Sequence, residues 1–319
     1  MTRRILAASC FAMSMAATIA LLGQSPSTVD AHVKAAQAAA GKEYAALLPY
    51  ICPNQTPRAP GTPGIPPRET WYREPVKVFD NMYFVGTKVH GAWAITTSEG
   101  IILIDALYDY VVRDAVEGGI RKVGLDPANI KYLIVTHGHG DHHGGVKYLQ
   151  DKYKPRVVMG AGDWDLVEKD KNSPIPKRDI VATDGQKITL GDTTVTLYLT
   201  PGHTPSTISF LVPVKDNGVP HVAAEWGGTA LGETSLPENV LQYSNSAAHF
   251  RDVATKAGAD VIITNHTEFN DTNALLAQLT ARKPGAPNPF VVGKDLVKRY
   301  VTVPYECAQA RLAQTTPKR

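Results

Sequence analysis

The sequence predicts an α/β fold of four layers, αββα, with helices outside two facing β-sheets. Three observations carry that expectation. Two series of short β-type segments, at 76–105 and 187–225, each give way to helix-period segments. Between the two series, helix-like and strand-like segments alternate, as crossover-connected strands do. A chain of 319 residues, 43% hydrophobic and 20% charged, can bury a large core and is too apolar for disorder.

In chain order, residues 1–31 read as an export signal. Arg3 and Arg4 open it, an apolar run from Ile5 to Gly23 follows, and Val29-Asp30-Ala31 has the small-x-small form of a cleavage site. Ser9, Ser14 and Thr18 interrupt the run and argue against a retained spanning helix. Residues 32–75 are expected to be a Pro-rich N-terminal arm. Seven prolines between 49 and 67 disfavour helix and central strand there. Residues 76–319 form the αββα domain with C-terminal helices. Its first meander is VKVF, MYFVGT, AWAITT and IILIDAL, punctuated by Asp-Asn, Gly and Glu-Gly. A helix-period segment from Tyr110 to Val123 leads to the strand YLIV, then to a helix from about His143 to Lys152. The strand RVVM and a helix over Asp163 to Lys169 follow. The second meander is KITL, VTLYL, TISFLV and HVAAE. A helix near 244–257, the strand VIIT and two more helices close the chain.

Without residues 1–31 the chain keeps 31 basic and 29 acidic residues, a net charge of +2, which is no footprint for nucleic acid or an anionic membrane. A small-molecule substrate is the expected partner, with no stable membrane association after signal cleavage. Of three cysteines, Cys10 leaves with the signal, while Cys52 and Cys307 remain. In an oxidising compartment the expected state of that pair is a disulfide, the other reading being two free thiols.

The chemistry begins where YLIVT ends. His137, His139, Asp141 and His142 fall within six residues at a strand terminus, where ligands can converge on one point, and the intervening glycines let the backbone turn sharply. His203, in the turn PGHTP, and His266, in NHT after VIIT, lie on loops that also follow strands. Four ligands in one cluster and two more histidines suit a two-metal site. Neither Ser-x-x-Lys nor Gly-x-Ser-x-Gly is present to supply a protein nucleophile.

HGHGDHHGG, PGHTP and NHT resemble the metallo-β-lactamase superfamily over residues 76–270. The resemblance implies its αββα metallo-β-lactamase sandwich and two Zn2+ per chain. One zinc would be held by His137, His139 and His203, the other by Asp141, His142 and His266. Asp105, in IILIDAL, matches the family's buried Asp that supports the metal loop. This ligand set is similar to that of the third subclass of true metallo-β-lactamases. It implies a periplasmic hydrolase that opens the β-lactam ring by attack of metal-bound hydroxide, with Asp141 as the catalytic residue that orients the nucleophile. A lactone or another amide or ester is the alternative substrate, and a non-catalytic zinc-binding envelope protein the alternative function.

Relatives with a bridging Asp carry it after PGH, whereas this chain has HVAAEWGGT there, with Glu225. The family's PGHTPG also reads PGHTPS. Ser206, Trp226 and His90 are accordingly the candidate substrate-pocket residues, and His143 is expected to point away from the site.

Overall fold

The computed structural model of the chain describes residues 26–53, 64–232 and 235–315. Most of the expected export signal, 1–25, lies outside them, while 26–31 begin helix α1 (Pro26–Ala40). Short helices α2 (Leu48–Ile51) and α3 (Arg68–Trp71) precede the strands.

The first sheet orders its strands as in the chain: β1 (Val76–Phe79), β2 (Met82–Phe84), β3 (Trp93–Thr97), β4 (Gly100–Ile104), β5 (Ile130–Ile134), β6 (Arg156–Gly160) and β7 (Ile180–Ala182). Pairs from β1 to β4 are antiparallel and those from β4 to β7 are parallel. A π-helical segment (Val112–Glu117) with α4 (Gly118–Lys122) makes the β4–β5 crossover. Helices α5 (Gly140–His143) and α6 (Val146–Tyr153) make the next, and α7 (Ala161–Val167) follows β6.

The second sheet runs β12-β11-β10-β9-β8, from β8 (Lys187–Leu190), β9 (Thr193–Leu199), β10 (Ile208–Asp216), β11 (Val219–Glu225) and β12 (Val261–Ile263). Helices α8 (Pro237–Ala257), α9 (Thr272–Thr280) and α10 (Lys294–Thr315) complete the chain.

Alternation along the strands builds the layers. Ile102 and Ile104 of β4 face Phe210 and Val212 of β10 in the core between the sheets. Ile101 and Leu103 turn outward onto Val112, Val116 and Ile120. In β10 the intervening Leu211 packs outward toward α8 and α10. Both faces of the central strands are therefore covered, and the expected αββα order is the observed one.

Within the Pro-rich arm expected at 32–75, part of the chain is helical. Ala-rich 31–40 is helical, since alanine costs least in a helix, and α2 accommodates Pro49 in its first turn, where no intrahelical N–H is required. Ala36, Ala40, Tyr44, Leu47 and Ile51 form one buried face against α10, where Tyr44 meets Tyr300 edge-on at 5.0 Å. Cys52 and Cys307 are joined by a disulfide that ties the end of α2 to α10. Residues 54–63 of the Pro-rich stretch lie outside the described residues.

Candidate metal centre

The candidate residues sit on loops that leave one end of the sandwich, after β2, β4, β5, β9, β11 and β12. Strand carboxyl ends gather there from both sheets, the usual location for a site in open α/β sheets. Main-chain bonds lock the loops together. Ile208 N donates to Thr136 O at 2.7 Å, and Gly91 N donates to Asn265 O at 2.8 Å. Gly91 is required sterically, because a Cβ at that position would lie 2.2 Å from Thr264 O.

His137, His139 and His203 each bring a ligating nitrogen within 4.8 Å of the others. His203 Nε2 stands 3.1 Å from His137 Nε2. His203 Nδ1 donates to the Ala230 carbonyl, which can only accept, so the proton is on Nδ1 and the inner Nε2 presents a lone pair. Burial, with neighbouring imidazoles, lowers the His203 pKa to about 3 and holds His137 well below the ordinary range. Both are therefore neutral near pH 7, with ring nitrogens facing each other across a gap that suits a cation.

The second cluster centres on Asp141. Its Oδ2 lies 3.3 Å from His142 Nε2, 3.4 Å from His266 Nε2 and 3.5 Å from His90 Nε2. His142 Nε2 and His266 Nε2 are 3.2 Å apart. Burial opposes ionisation of Asp141, but His142 and His266 outweigh it and hold the carboxyl well below its usual range. Burial likewise opposes the charged form of His142, yet Asp141 and Asp105 raise its pKa to about 10. The extra proton on His142 stands where a cation would serve the same carboxylate.

Asp105 holds this arrangement from beneath. It is fully buried with φ 58°, a conformation few non-glycine residues adopt. Its Oδ1 accepts from Thr136 N at 2.7 Å, while Oδ2 accepts from Thr136 Oγ1 at 2.9 Å and His142 Nδ1 at 2.8 Å. The carboxylate thereby fixes the ring of His142 and aims Nε2 at Asp141.

A cavity of about 200 Å³ opens over both clusters, lined by His137, His139, Asp141, His203 and His266 with Thr229, Ala230, Asn265 and Phe269. Neither Ser206 nor Trp226, expected near the substrate, lines this cavity. The Ser206 backbone N–H and hydroxyl donate to Asp163 Oδ2 at 2.8 and 3.0 Å. Trp226 is buried in the outer core against Tyr243 and Phe250. His90 belongs to the second cluster rather than to the cavity wall. His143 points away and contacts Asp170 Oδ2 at 3.1 Å.

The sequence reading missed Asp163. Fully buried at the start of α7, it accepts from Gly138 N at 2.8 Å and from Thr204 Oγ1 at 3.0 Å, besides Ser206. One carboxylate thus joins the loop of His137 and His139 to that of His203.

Glu225 donates to neither cluster. It is fully buried and neither carboxylate oxygen has a hydrogen-bond partner among the described residues. Burial, then the nearby Asp105 charge, pushes its pKa well above the carboxylate range, and it belongs to neither donor group among the described residues.

The donor sets suit a metal of zinc type. Donors on a tetrahedral zinc with bonds of about 2.0–2.1 Å are about 3.3–3.4 Å apart. The His203–His137 separation, together with those among Asp141, His142, His266 and His90 that fall at 3.1 to 3.5 Å, brackets that value, the remaining pairs in each donor group lying within 4.8 Å.

Residues 86–216 match the sequence model of the Metallo-beta-lactamase superfamily. The structure is similar to BJP-1, a subclass B3 metallo-beta-lactamase of Bradyrhizobium japonicum, with TM-score 0.63 and 29% identity over 73% of this chain and 91% of that one. It also shares its fold with a mutant of the FEZ-1 metallo-beta-lactamase from Legionella gormanii, with TM-score 0.67 and 23% identity over 76% of this chain and 96% of that one. Curated relatives include a hydroxyacylglutathione hydrolase of Nitrobacter hamburgensis, 32% identical over 37% of this chain and 44% of the relative. An N-acyl homoserine lactonase of Azorhizobium caulinodans is 26% identical over 45% of this chain and 60% of the relative. The chain spans less than half the length of the first curated relatives it matches.

Proposed function

The chain belongs to the metallo-β-lactamase superfamily, and from that membership we propose a periplasmic two-zinc hydrolase that opens the β-lactam ring of antibiotics. The donor set carries the reading: three imidazoles in one cluster, Asp141 with His142 and His266 in the other, and a buried Glu225 that belongs to neither donor group among the described residues.

When bound, the metal pair activates a water nucleophile and polarises the carbonyl it attacks. The chain's own groups do the positioning. Neutral His137, His139 and His203 offer lone pairs without first losing a proton. Asp141 stays ionised and orients the attacking water through its carboxylate.

The cavity of about 200 Å³ admits the reacting ring. It is smaller than the roughly 300–1,000 Å³ of sites that enclose drug-sized ligands, so the substituents of the antibiotic lie across its mouth. The Cys52–Cys307 disulfide supports export, as does the basic-then-apolar start of the sequence. Among the described residues no helix is long and apolar enough to cross a membrane.

The curated relatives favour a second reading, hydrolysis of a lactone or thioester. Penicillins, cephalosporins and carbapenems assayed beside N-acyl homoserine lactones and S-acylglutathiones separate the two. The β-lactams should turn over fastest. A lactone or thioester with kcat/KM a hundredfold above every β-lactam, about 2.7 kcal/mol in transition-state preference, overturns the proposal. Asp141→Ala should abolish β-lactam turnover while the metal at His137, His139 and His203 is retained. Metal content without turnover of any substrate favours the non-catalytic zinc protein.

A further inference from the structure

We propose that His90 is a fourth protein ligand of the second metal position, completing a donor set of His90, Asp141, His142 and His266. The inference rests on the two-metal reading above and adds a ligand to one of its positions.

His90 Nε2, Asp141 and His266 have ligating atoms within 4.8 Å of one another. The distance from His90 Nε2 to Asp141 Oδ2, 3.5 Å, decides between two roles. It is long for a hydrogen bond, which runs at about 2.7–3.2 Å for N–H···O. It is close to the separation of about 3.3–3.4 Å between two donors sharing a tetrahedral zinc. Asp141 Oδ2 also lies 3.3 Å from His142 Nε2 and 3.4 Å from His266 Nε2, so His90 and His142 approach the same oxygen with their ring centroids 6.4 Å apart.

The backbone holds His90 there. Residues 90 and 266 form an antiparallel bridge, with Thr267 N donating to Val89 O at 2.9 Å and Gly91 N to Asn265 O at 2.8 Å on either side. Thr87 Oγ1 accepts from the His90 N–H at 2.8 Å. The ring meets Tyr108 edge-on at 5.3 Å and His266 at 5.0 Å, which limits its rotation. Its side chain is 15% exposed, and an imidazole so placed adds a nitrogen donor of the type zinc prefers. A position with four protein donors binds its metal more tightly than one with three, because the fourth is already oriented.

Metal-free protein and its His90→Ala variant, each titrated with cobalt(II) and then challenged with a chelator of known affinity, test the proposal. Wild type should take up two equivalents. The variant should keep its first equivalent unchanged, bind the second at least about tenfold more weakly, and show altered ligand-field absorption for that equivalent as water replaces imidazole. Equal second-site affinity and an unchanged spectrum overturn the assignment of His90 while leaving the two-metal reading standing. Uptake of a single equivalent by wild type overturns both. Circular dichroism of the metal-free variant controls for folding. If that variant is unfolded, His90→Gln replaces it, with the same two outcomes deciding.

Discussion

Two buried carboxylates do for this site what no metal ligand can do for itself. Asp105 fixes the ring of His142, and Asp163 fixes the two loops that carry His137, His139 and His203. Asp163→Ala leaves the Gly138 and Ser206 N–H groups without their acceptor in a buried place, a loss of about 3 kcal/mol or more. Denaturant unfolding of the metal-free variant should show that loss, and the loaded variant should hold less metal at the His137–His139–His203 position. His142 gives a second expectation. Its folded pKa of about 10 lies above neutrality, whereas burial keeps His137 and His203 unprotonated. Loading the second position at pH 7 should therefore release about one proton and loading the first none, and second-site affinity should rise with pH until His142 is deprotonated near pH 10. Calorimetry in buffers of different ionisation enthalpy measures the count, and equal release from both positions contradicts it. The candidate ligands can be named from the sequence because the run from His137 to His142 is local. Asp163 cannot, since its partners come from residues 138 and 204–206 and nothing near it marks it as special. The bonds from Ser206 to Asp163 are hidden for the same reason, because the acceptor arrives from α7.

At the scale of elements, strands were legible from short apolar or alternating runs bounded by turn residues, and β4, buried on both faces, reads as the continuous apolar run GIILI rather than as an alternation. The short β7 has too few residues to show a period. Helix α1 does not stand out in the sequence, because the proline run at 49–67 that follows it points to extended chain. Yet Ala36, Ala40, Tyr44, Leu47 and Ile51 recur at intervals of three and four, the spacing of one helical face. That face and the disulfide bind the start of the described chain to its end. The bridge closes a sequence separation of 255 residues, so Cys52→Ser with Cys307→Ser should lower stability by about 5 kcal/mol or less in the chain-entropy account. Unreduced mature protein, denatured and titrated, should present no thiol. On the opposite layer Glu117 joins the π-helical segment to α6. It accepts from Lys152 Nζ at 2.8 Å and from the hydroxyls of Tyr148 and Tyr153. Burial raises its pKa, but these bonds and Arg121 lower it further, to about 2. A depressed carboxylate stabilises fully above its unfolded value near 4.5 and loses that contribution as pH falls toward 2. Discounted for the exposure of Lys152 and Arg121, the amount is roughly 1–2 kcal/mol. In metal-free protein Glu117→Gln should flatten the fall in unfolding free energy over that interval by this amount. An unchanged slope would show that the network contributes nothing.

For the whole molecule, the telling fact is that each ligand cluster is drawn from both sheets. His137 and His139 follow β5 of the first sheet, and His203 precedes β10 of the second. Asp141 and His142 come from the first, His266 follows β12 of the second, and His90 leads into β3. Metal bound at either candidate position would therefore cross-link the two halves of the sandwich at the end where their strands terminate, while the core between the sheets holds them together elsewhere. A ligand that binds only the folded state stabilises by RT ln(1 + [L]/Kd), about 4 kcal/mol at a thousandfold excess over Kd. Unfolding disperses all the donors, so this linkage should apply to both positions. Removing metal should consequently lower the thermal midpoint in two stages, the weaker position first, without dissolving the fold, because the three apolar cores and the disulfide do not depend on it. Calorimetric scans at graded free zinc check this. A midpoint independent of zinc would show that neither position spans the sheets as described, and loss of all secondary structure on chelation would show that the cores do not hold the sandwich alone.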